Sequence, residues 1–208
     1  MSSLRNSFVA IEGINGAGKS SIRDRLEGFC ESQGLDVFLL GQHGWLVPAA
    51  TSTILAFRER WGGYTLEDLL TAHVADRRAT YDQIIENHLM KWGPLIGDRS
   101  LISDAPYLEA LEGIPAEQVL ERYVEAGLVF PDATVLVDID TSEALQRIDK
   151  RGGGRKVYET LDVLAQVNAA YQRLADNGVL CSLTDLIRTD GSASEDVLDA
   201  LRSGHYLG

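Results

Sequence analysis

A glycine-rich run near the start of the chain has the residue types and spacing of a phosphate-binding loop. Residues 13–20, Gly-Ile-Asn-Gly-Ala-Gly-Lys-Ser, match the pattern G-x-x-x-x-G-K-[ST] at every fixed position. Glycines let the backbone turn with its N–H groups pointing inward, and a following helix adds the positive end of its dipole. Lys19 can then reach the β- and γ-phosphates of ATP, and the Ser20 hydroxyl can be a ligand of Mg²⁺. The predicted nucleotide-binding residues are Gly13, Asn15, Gly16, Ala17, Gly18, Lys19, Ser20 and Ser21.

The segments around this loop have the patterns that such a loop requires. An apolar run, Phe8 to Ile11, predicts a buried strand before it, and Ile22, Leu26 and Phe29 recur at helical spacing after it. Alternation of strands and helices along the chain predicts an α/β fold of three layers, in which helices cover both faces of a five-stranded parallel sheet. The other predicted strands are 37–40, 95–98, 134–139 and 185–189, and the other predicted helices are 48–60, 66–92, 107–111, 116–125, 142–149, 158–176 and 193–203. Thr141 is the expected N-cap of the helix at 142–149.

Composition limits the classes of partner. The chain has 208 residues, which suits one α/β domain over 1–208, and its net charge of −12 would repel a nucleic acid backbone. A small phosphorylated ligand remains compatible, because a few cations can be gathered locally. No window approaches the roughly 18 apolar residues of a membrane span, and Met1 to Ser7 lacks the apolar core of a signal peptide. We therefore expect a cytoplasmic protein with no membrane partner and no polymeric nucleic acid partner.

Asp98-Arg99, at the end of a predicted strand, forms a second candidate for chemistry. A carboxylate there could assist Mg²⁺ while Arg99 holds an acceptor phosphate, or the two residues could form a structural ion pair. Asp138 competes with Asp98 for the metal role, because Val-Leu-Val-Asp also fits a strand that ends in a Mg²⁺-associated carboxylate.

The segment at about 150–158 is predicted to be a lid. Three glycines separate Arg151 from Arg155, so the backbone could hinge and bring both guanidinium groups onto the phosphates. Cations there would stabilise charge redistributed in the transition state of phosphoryl transfer. A flexible surface loop is the alternative.

Several of these elements, taken in order, resemble thymidylate kinase and its nucleotide kinase relatives. The resemblance implies that Lys19 and Ser20 serve ATP and Mg²⁺, that Arg99 holds the acceptor phosphate, that Arg77 faces the base, and that Tyr107 lies beside the sugar. It also implies a homodimer and a catalytic Arg supplied from the lid. The quoted elements are EGINGAGKS, Ala75-Asp76-Arg77, Asp98-Arg99, PDATVLVDID, RGGGR and the pattern from Glu159 to Tyr171.

The chain departs from that family at the acceptor side. Asn15 stands where the family usually has an acidic residue, and the run from Gly41 to Gly44 replaces its Arg-Glu-Pro-Gly-Gly. An expected Arg is thereby lost, for which Arg58 could substitute. His73 occupies the place of an aromatic residue that would stack on thymine, so contact with the base and a simple packing role both stay open for it.

Residues 98–104, Asp-Arg-Ser-Leu-Ile-Ser-Asp, also resemble the E-R-S-x-x-S-D run of deoxynucleoside kinases. That resemblance implies that Asp104 lies beside the base, where a carboxylate would favour a ring N–H or an exocyclic amine as its partner. A base other than thymine is then possible; alternatively, Asp104 caps the next helix. We expect the substrate-binding residues to be Asn15, Gln42, His73, Arg77, Arg99, Asp104 and Tyr107.

Gln42 distinguishes between the two possible acceptors. Deoxynucleoside kinases have a glutamate base after the second strand, because a 5′-hydroxyl must lose a proton to react. Gln42 cannot accept that proton, whereas a monophosphate is already anionic. We therefore expect ATP-dependent phosphorylation of a pyrimidine (deoxy)nucleoside 5′-monophosphate, with Lys19, Asp98, Arg99, Arg151 and Arg155 as the catalytic residues. Three alternatives stay open: a deoxynucleoside kinase in which Asp98 is the base, a small-molecule kinase of specialised metabolism, and a phosphate-loop protein that binds ATP or GTP as a switch.

Overall fold

The computed structural model describes residues 6–152, 154–156, 158–191 and 194–207. Its fold is α/β, with five parallel strands and helices between them, which confirms the predicted fold class. The strands are β1 (Phe8–Glu12), β2 (Phe38–Gly41), β3 (Leu95–Asp98), β4 (Ala133–Val137) and β5 (Asp185–Thr189). The α-helices are α1 (Lys19–Ser32), α2 (Pro48–Arg58), α3 (Leu66–Thr80), α4 (Glu86–Lys91), α5 (Asp104–Glu112), α6 (Ala116–Glu125), α7 (Thr141–Arg151), α8 (Leu161–Asp176) and α9 (Ser194–Ser203). Short 3₁₀ turns occur at Leu101–Ser103 and Leu180–Ser182.

The sheet order β2-β3-β1-β4-β5 places β1 in the centre. Ile11 pairs with Asp98 and Glu12 with Leu136, so the strands end at one edge of the sheet. At such an edge, the chain leaves neighbouring strands in opposite directions and opens a crevice. The phosphate-binding loop, Gln42 and Arg99 follow strands into this crevice, and Asp98 is the last residue of β3.

Alternate side chains of β1 serve two cores. Val9 and Ile11 pack into the main core with α1 and α8, whereas Phe8 and Ala10 pack into a smaller core against the helical chain at 81–89. All five residues of β1 are buried, as expected for a strand covered on both faces.

Several predicted elements differ in detail from the structure. The helix predicted over 66–92 is interrupted by a π turn, Tyr81–Ile85, which separates α3 from α4. The second strand is not buried as predicted: it lies at the sheet edge, and Phe38 is 38% exposed.

Two further differences concern helix starts. The N-cap of α7 is Asp140, not Thr141, because the Asp140 carboxylate accepts hydrogen bonds from the N–H groups of Ser142 and Glu143. Helix α8 begins after Thr160, which caps it through the Val163 N–H. Gly153 and Val157 of the predicted lid, and Ala193 at the predicted start of the last helix, lie outside the described residues.

Candidate active site

The phosphate-binding loop depends on glycine at two close approaches. Gly13 (φ 131°) and Gly16 (φ 83°) both have backbone conformations that other residues rarely adopt. A Cβ at Gly13 would overlap the carbonyl oxygen of Val137, and a Cβ at Gly16 would overlap that of Ala144. The loop is therefore held against β4 and α7, and any side chain at either position would displace it.

Lys19 begins α1 and is buried beneath this loop, with 8% of its surface exposed. Its Nζ donates to the carbonyl oxygens of Ile14 (2.9 Å) and Gly13 (3.3 Å). Burial, reinforced by the charge of Arg99, lowers the pKa of Lys19 to about 7. An anion at the loop would favour the charged form of this amine.

A cavity of about 740 Å³ opens above the loop. Six of the eight predicted nucleotide-binding residues line it, whereas Gly13 and Ala17 lie buried behind its wall. Asp98 is also on the wall; its Oδ2 lies 3.4 Å from Nη1 of Arg23. Asp138 does not line the cavity and lies 3.7 Å from Arg188. The cations on the wall are Lys19, Arg99, Arg147, Arg151 and Lys156.

Arg147 was missed by the sequence analysis. It donates to the carbonyl oxygen of Ala17 at 3.2 Å and to Glu143 at 2.6 Å. Its position four residues before Arg151 puts both side chains on one face of α7, and that spacing is the signal that could have identified it.

Arg155, one of the two predicted lid cations, does not line the cavity. It forms two hydrogen bonds of 2.7 Å with the exposed Asp149. Arg151, by contrast, lies on the wall and its Nη2 is 3.4 Å from Oε1 of Glu159.

Arg99 stands between the large cavity and a second one of about 290 Å³. Its backbone has φ 76°, an unusual conformation for a residue with a side chain. Nη1 donates to Ser103 (2.9 Å), and Nη2 donates to Asn15 (2.6 Å) and Tyr107 (2.9 Å). Five residues line both cavities: Asn15, Gln42, Arg99, Lys156 and Tyr158.

Glu12, which is fully buried, contacts the residues next to Arg99. This residue was not among the predicted site residues. One oxygen accepts from the N–H and the hydroxyl of Ser100, each at 2.7 Å; the other accepts from Ser103 and, at 2.8 Å, from Tyr171. Because the hydroxyls of Ser103 and Tyr171 donate to Glu12, they can accept from the Arg99 guanidinium group. A Glu directly before the first glycine of the phosphate-binding loop could not be distinguished by sequence from an ordinary strand-end residue.

The second cavity has an apolar wall and a polar end. Ile54, Phe57, Leu69 and Leu108 form part of the wall, and Arg58 also faces the space. Tyr107 and Tyr158 meet edge to face, with ring centroids 6.1 Å apart. The polar end consists of Gln42, His43, His73 and Asp104. Such a cavity suits a flat ring with a few polar groups.

Asp104 is fully engaged by protein donors. It accepts from Arg77 through Nε (2.7 Å) and Nη2 (2.5 Å), from Tyr123 (3.0 Å) and from the Gln42 amide (2.9 Å). Burial alone would raise the pKa of Asp104, but the Arg77 guanidinium holds it well below its usual range. Its side-chain partners leave it no capping role in α5, contrary to one of the two predicted alternatives.

Arg77 lies behind Asp104 instead of facing the second cavity. It is 5% exposed and also donates to the carbonyl oxygen of Gln42. The other six predicted substrate-binding residues, Asn15, Gln42, His73, Arg99, Asp104 and Tyr107, do line the cavity.

The two histidines differ in their partners. His43 stacks on Trp45 and its Nδ1 lies 3.0 Å from Asp76; burial and the nearby Arg77 lower its pKa. His73 is 6% exposed, and its Nδ1 lies 3.3 Å from Asp104 without the geometry of a hydrogen bond. Among the described side chains, His73 is thus one of few with a buried polar atom left without a hydrogen bond.

A phosphate-binding loop at the switch point of a parallel sheet, a cluster of cations and an adjoining ring-sized cavity define a P-loop phosphotransferase. Comparison with known proteins gives the family: the thymidylate kinase family model matches residues 11–186. This chain belongs to the thymidylate kinase family. It is accordingly a nucleoside monophosphate kinase, as the sequence analysis predicted.

Named relatives match over nearly the whole chain. A protein of Staphylothermus marinus named "Probable thymidylate kinase" is 32% identical over 199 residues, covering 95% of each chain. One of the same name from Pyrobaculum aerophilum is 30% identical over 202 residues, covering 94% of this chain and 96% of its own. The thymidylate kinase of Leptospira interrogans is 26% identical over 194 residues, covering 91% and 88%. Within the described ranges, no helix combines the length and apolarity needed to cross a membrane.

Proposed function

We propose that this enzyme transfers the γ-phosphoryl group of ATP to thymidine 5′-monophosphate. One observation carries the proposal: the cavity at the phosphate-binding loop, here called the donor cavity, and the second, ring-sized cavity, here called the acceptor cavity, share Arg99 and Asn15. A donor and an acceptor bound on either side of Arg99 would bring their phosphates together. Relatives named thymidylate kinase support this acceptor.

The residues divide the work of an in-line transfer. The loop from Gly13 to Ser21 and Lys19 hold the β- and γ-phosphates, and Arg99 holds the acceptor phosphate. Arg151 stabilises charge on the transferring group, and Arg155 joins it after leaving Asp149. Binding and orientation by fixed cations supply most of the catalysis, because the acceptor phosphate needs no base to become a nucleophile.

The chain offers oxygen ligands that fit Mg²⁺. The Ser20 hydroxyl and the Asp98 carboxylate both line the donor cavity, and Mg²⁺ combines few protein oxygens with water and phosphate oxygens. When bound, the ion would neutralise phosphate charge. Asp98 takes this role in preference to Asp138, which lies outside the cavity wall.

The polar end of the acceptor cavity would read the base. Because Asp104 can only accept, the Gln42 amide must turn its nitrogen toward Asp104 and its oxygen away. Gln42 Oε1 can then accept from the ring N–H of thymine, and His73 lies beside it as a second polar group. Asp104 orders this end instead of contacting the base.

Turnover on a matched panel tests the acceptor. ADP release should be fast with thymidine 5′-monophosphate and absent with thymidine, because Arg99 needs a phosphate and Gln42 cannot act as a base. Parallel assays with dUMP and dCMP measure the base preference. Turnover confined to nucleosides would refute the proposal and make Asp98 the suspected base.

Arginine variants test the assigned roles. Arg155→Ala should lower kcat by about 10³-fold, the lower end of the range for an arginine on a transferring phosphoryl group. Lys150→Ala, an exposed neighbour at the end of α7, is the control and should retain wild-type turnover. An Arg155→Ala enzyme within threefold of the parent would exclude Arg155 from catalysis.

We also propose that residues 1–208 form one kinase domain with a lid at about 150–158, that the enzyme is cytoplasmic, and that it is a homodimer. The last expectation comes from the family resemblance. Sedimentation velocity at micromolar concentration should give a single species of twice the chain mass.

A further inference from the structure

Asn15 lies between two functional groups that approach it from opposite sides. Its Oδ1 accepts from Nη2 of Arg99 at 2.6 Å and from the Tyr107 hydroxyl at 3.3 Å. Its Nδ2 donates to Oε1 of Glu159 at 2.8 Å. One amide therefore bridges the acceptor arginine and a carboxylate on the far side of the loop.

Glu159 is fully buried and organises the residues around it. Its Oε2 accepts from the backbone N–H of Lys156 at 2.7 Å, and its Oε1 lies 3.4 Å from Nη2 of Arg151. Both Lys156 and Arg151 line the donor cavity. This carboxylate therefore contacts one cation of the donor cavity, Arg151, through its side chain and holds the backbone of a second, Lys156.

The bridge requires an amide at position 15. Arg99 demands an acceptor and Glu159 demands a donor, and Asn supplies one of each in a short side chain. An aspartate of the same shape would satisfy Arg99 but would place two carboxylates in direct contact, which disfavours ionisation of both. Asn15 thus has a geometric role that its backbone place in the phosphate-binding loop does not explain.

We propose that Asn15 is a positioning residue that couples Arg99, and with it the acceptor phosphate, to Glu159 and the donor-site cations Arg151 and Lys156. This inference rests on the proposed function, in which Arg99 holds the acceptor. Acceptor binding would then depend on the hydrogen bond between Asn15 and Glu159. Donor and acceptor in this pair can be exchanged by substitution.

A polarity swap provides the test. Asn15→Asp removes the donor, whereas the double variant Asn15→Asp with Glu159→Gln restores one, because the glutamine amide can donate to the new aspartate. Asp162→Asn, an exposed charge removal in the first turn of α8, is the matched control. Two quantities are measured: KM for thymidine 5′-monophosphate against KM for ATP, and the exchange rate of the Lys156 amide in substrate-free protein by NMR.

Asn15→Asp should raise the KM for the acceptor roughly 10-fold, because one hydrogen bond to a charged group is lost. The same variant should increase the exchange rate of the Lys156 amide by about 10-fold or more. In the Glu159→Gln background the same change should alter both quantities by less than about threefold. Equal effects of Asn15→Asp in the two backgrounds, or no effect in either, would overturn the coupling. Amide exchange is measured without substrate, so it tests the hydrogen-bonded bridge independently of the reaction. If the wild-type enzyme rejects thymidine 5′-monophosphate, the proposed function alone is refuted.

Discussion

Lys19 shows at the scale of one residue how burial prepares a site for an anion. With a pKa of about 7 against an ordinary value of 10.5, its amine is mostly neutral at pH 8 in the free enzyme. The unfolded chain binds more protons between these two values, so the contribution of Lys19 to stability increases as pH rises through that window. Phosphates bound at the loop would reverse this preference, because an opposite charge favours the protonated amine.

Nucleotide binding at pH 8 should therefore take up close to one proton. Calorimetric titrations with ADP in two buffers of different ionisation enthalpy measure the number directly. Lys19→Arg keeps the positive charge and cannot release a proton, so it should show much less uptake. Equal proton uptake by the two proteins would mean that Lys19 is already charged in the free enzyme.

Glu12→Gln should destabilise the protein. The NH₂ group of a glutamine would face hydroxyl groups that donate to Glu12 in the wild-type protein, so at least one donor would lose its acceptor. An unsatisfied buried polar group costs about 1–3 kcal/mol. Urea unfolding measures the change in the free energy of unfolding. The exposed Glu31→Gln on α1 is the control and should leave that free energy unchanged. A Glu12→Gln protein as stable as its control would show that the buried donors around position 12 do not need a charged acceptor.

At the scale of elements, the buried pair Arg77–Asp104 ties helices together. Arg77 belongs to α3, Asp104 begins α5, and Tyr123 joins them from α6. Gln42, after β2, is held by both members of the pair. The polar end of the acceptor cavity is thus formed where α3, α5, α6 and the segment after β2 meet at the Arg77–Asp104 ion pair.

Arg77→Met should lower the free energy of unfolding by about 3–5 kcal/mol, because removing one partner leaves an uncompensated buried charge on Asp104. Urea denaturation of this variant against Arg78→Met, its exposed neighbour on α3, gives the comparison. If Arg77→Met keeps its stability and loses only affinity for the acceptor, Arg77 faces the base, as the sequence resemblance implied, and not the protein interior.

At the scale of the whole molecule, the central strand lies beneath the wall that separates the two cavities. The order β2-β3-β1-β4-β5 lets loops from three strands meet above β1, and the five residues common to both cavities form their shared wall. A compound that links adenosine and thymidine through a phosphate chain should therefore bind at least 10²-fold more tightly than ATP or thymidine 5′-monophosphate, since the second contact becomes intramolecular. Calorimetry measures the affinity for each of the three compounds. A linked compound that binds no more tightly than ATP would show that one molecule cannot occupy the two cavities together.

The fold class and the conformation of the glycine-rich loop could be predicted from the sequence. The loop at residues 13–20 depends on features that are local in the chain: the backbone conformations of its glycines and the start of the helix that follows. The motif and the strand pattern before it are therefore enough to predict it. The same holds for β5 and α6, whose predicted bounds equal those of the structure.

The partners of the polar side chains at the second cavity could not be predicted from the sequence and are seen only in the folded chain. Asp104 looked like a group that reads the base, yet Arg77, 27 positions earlier, and Tyr123, 19 positions later, use its lone pairs. Asn15 looked like a simple departure from the family pattern until Glu159, 144 positions away, became its partner. The physical reason is that a polar side chain's role depends on which donors and acceptors reach it, and chain topology, not local spacing, brings those groups together.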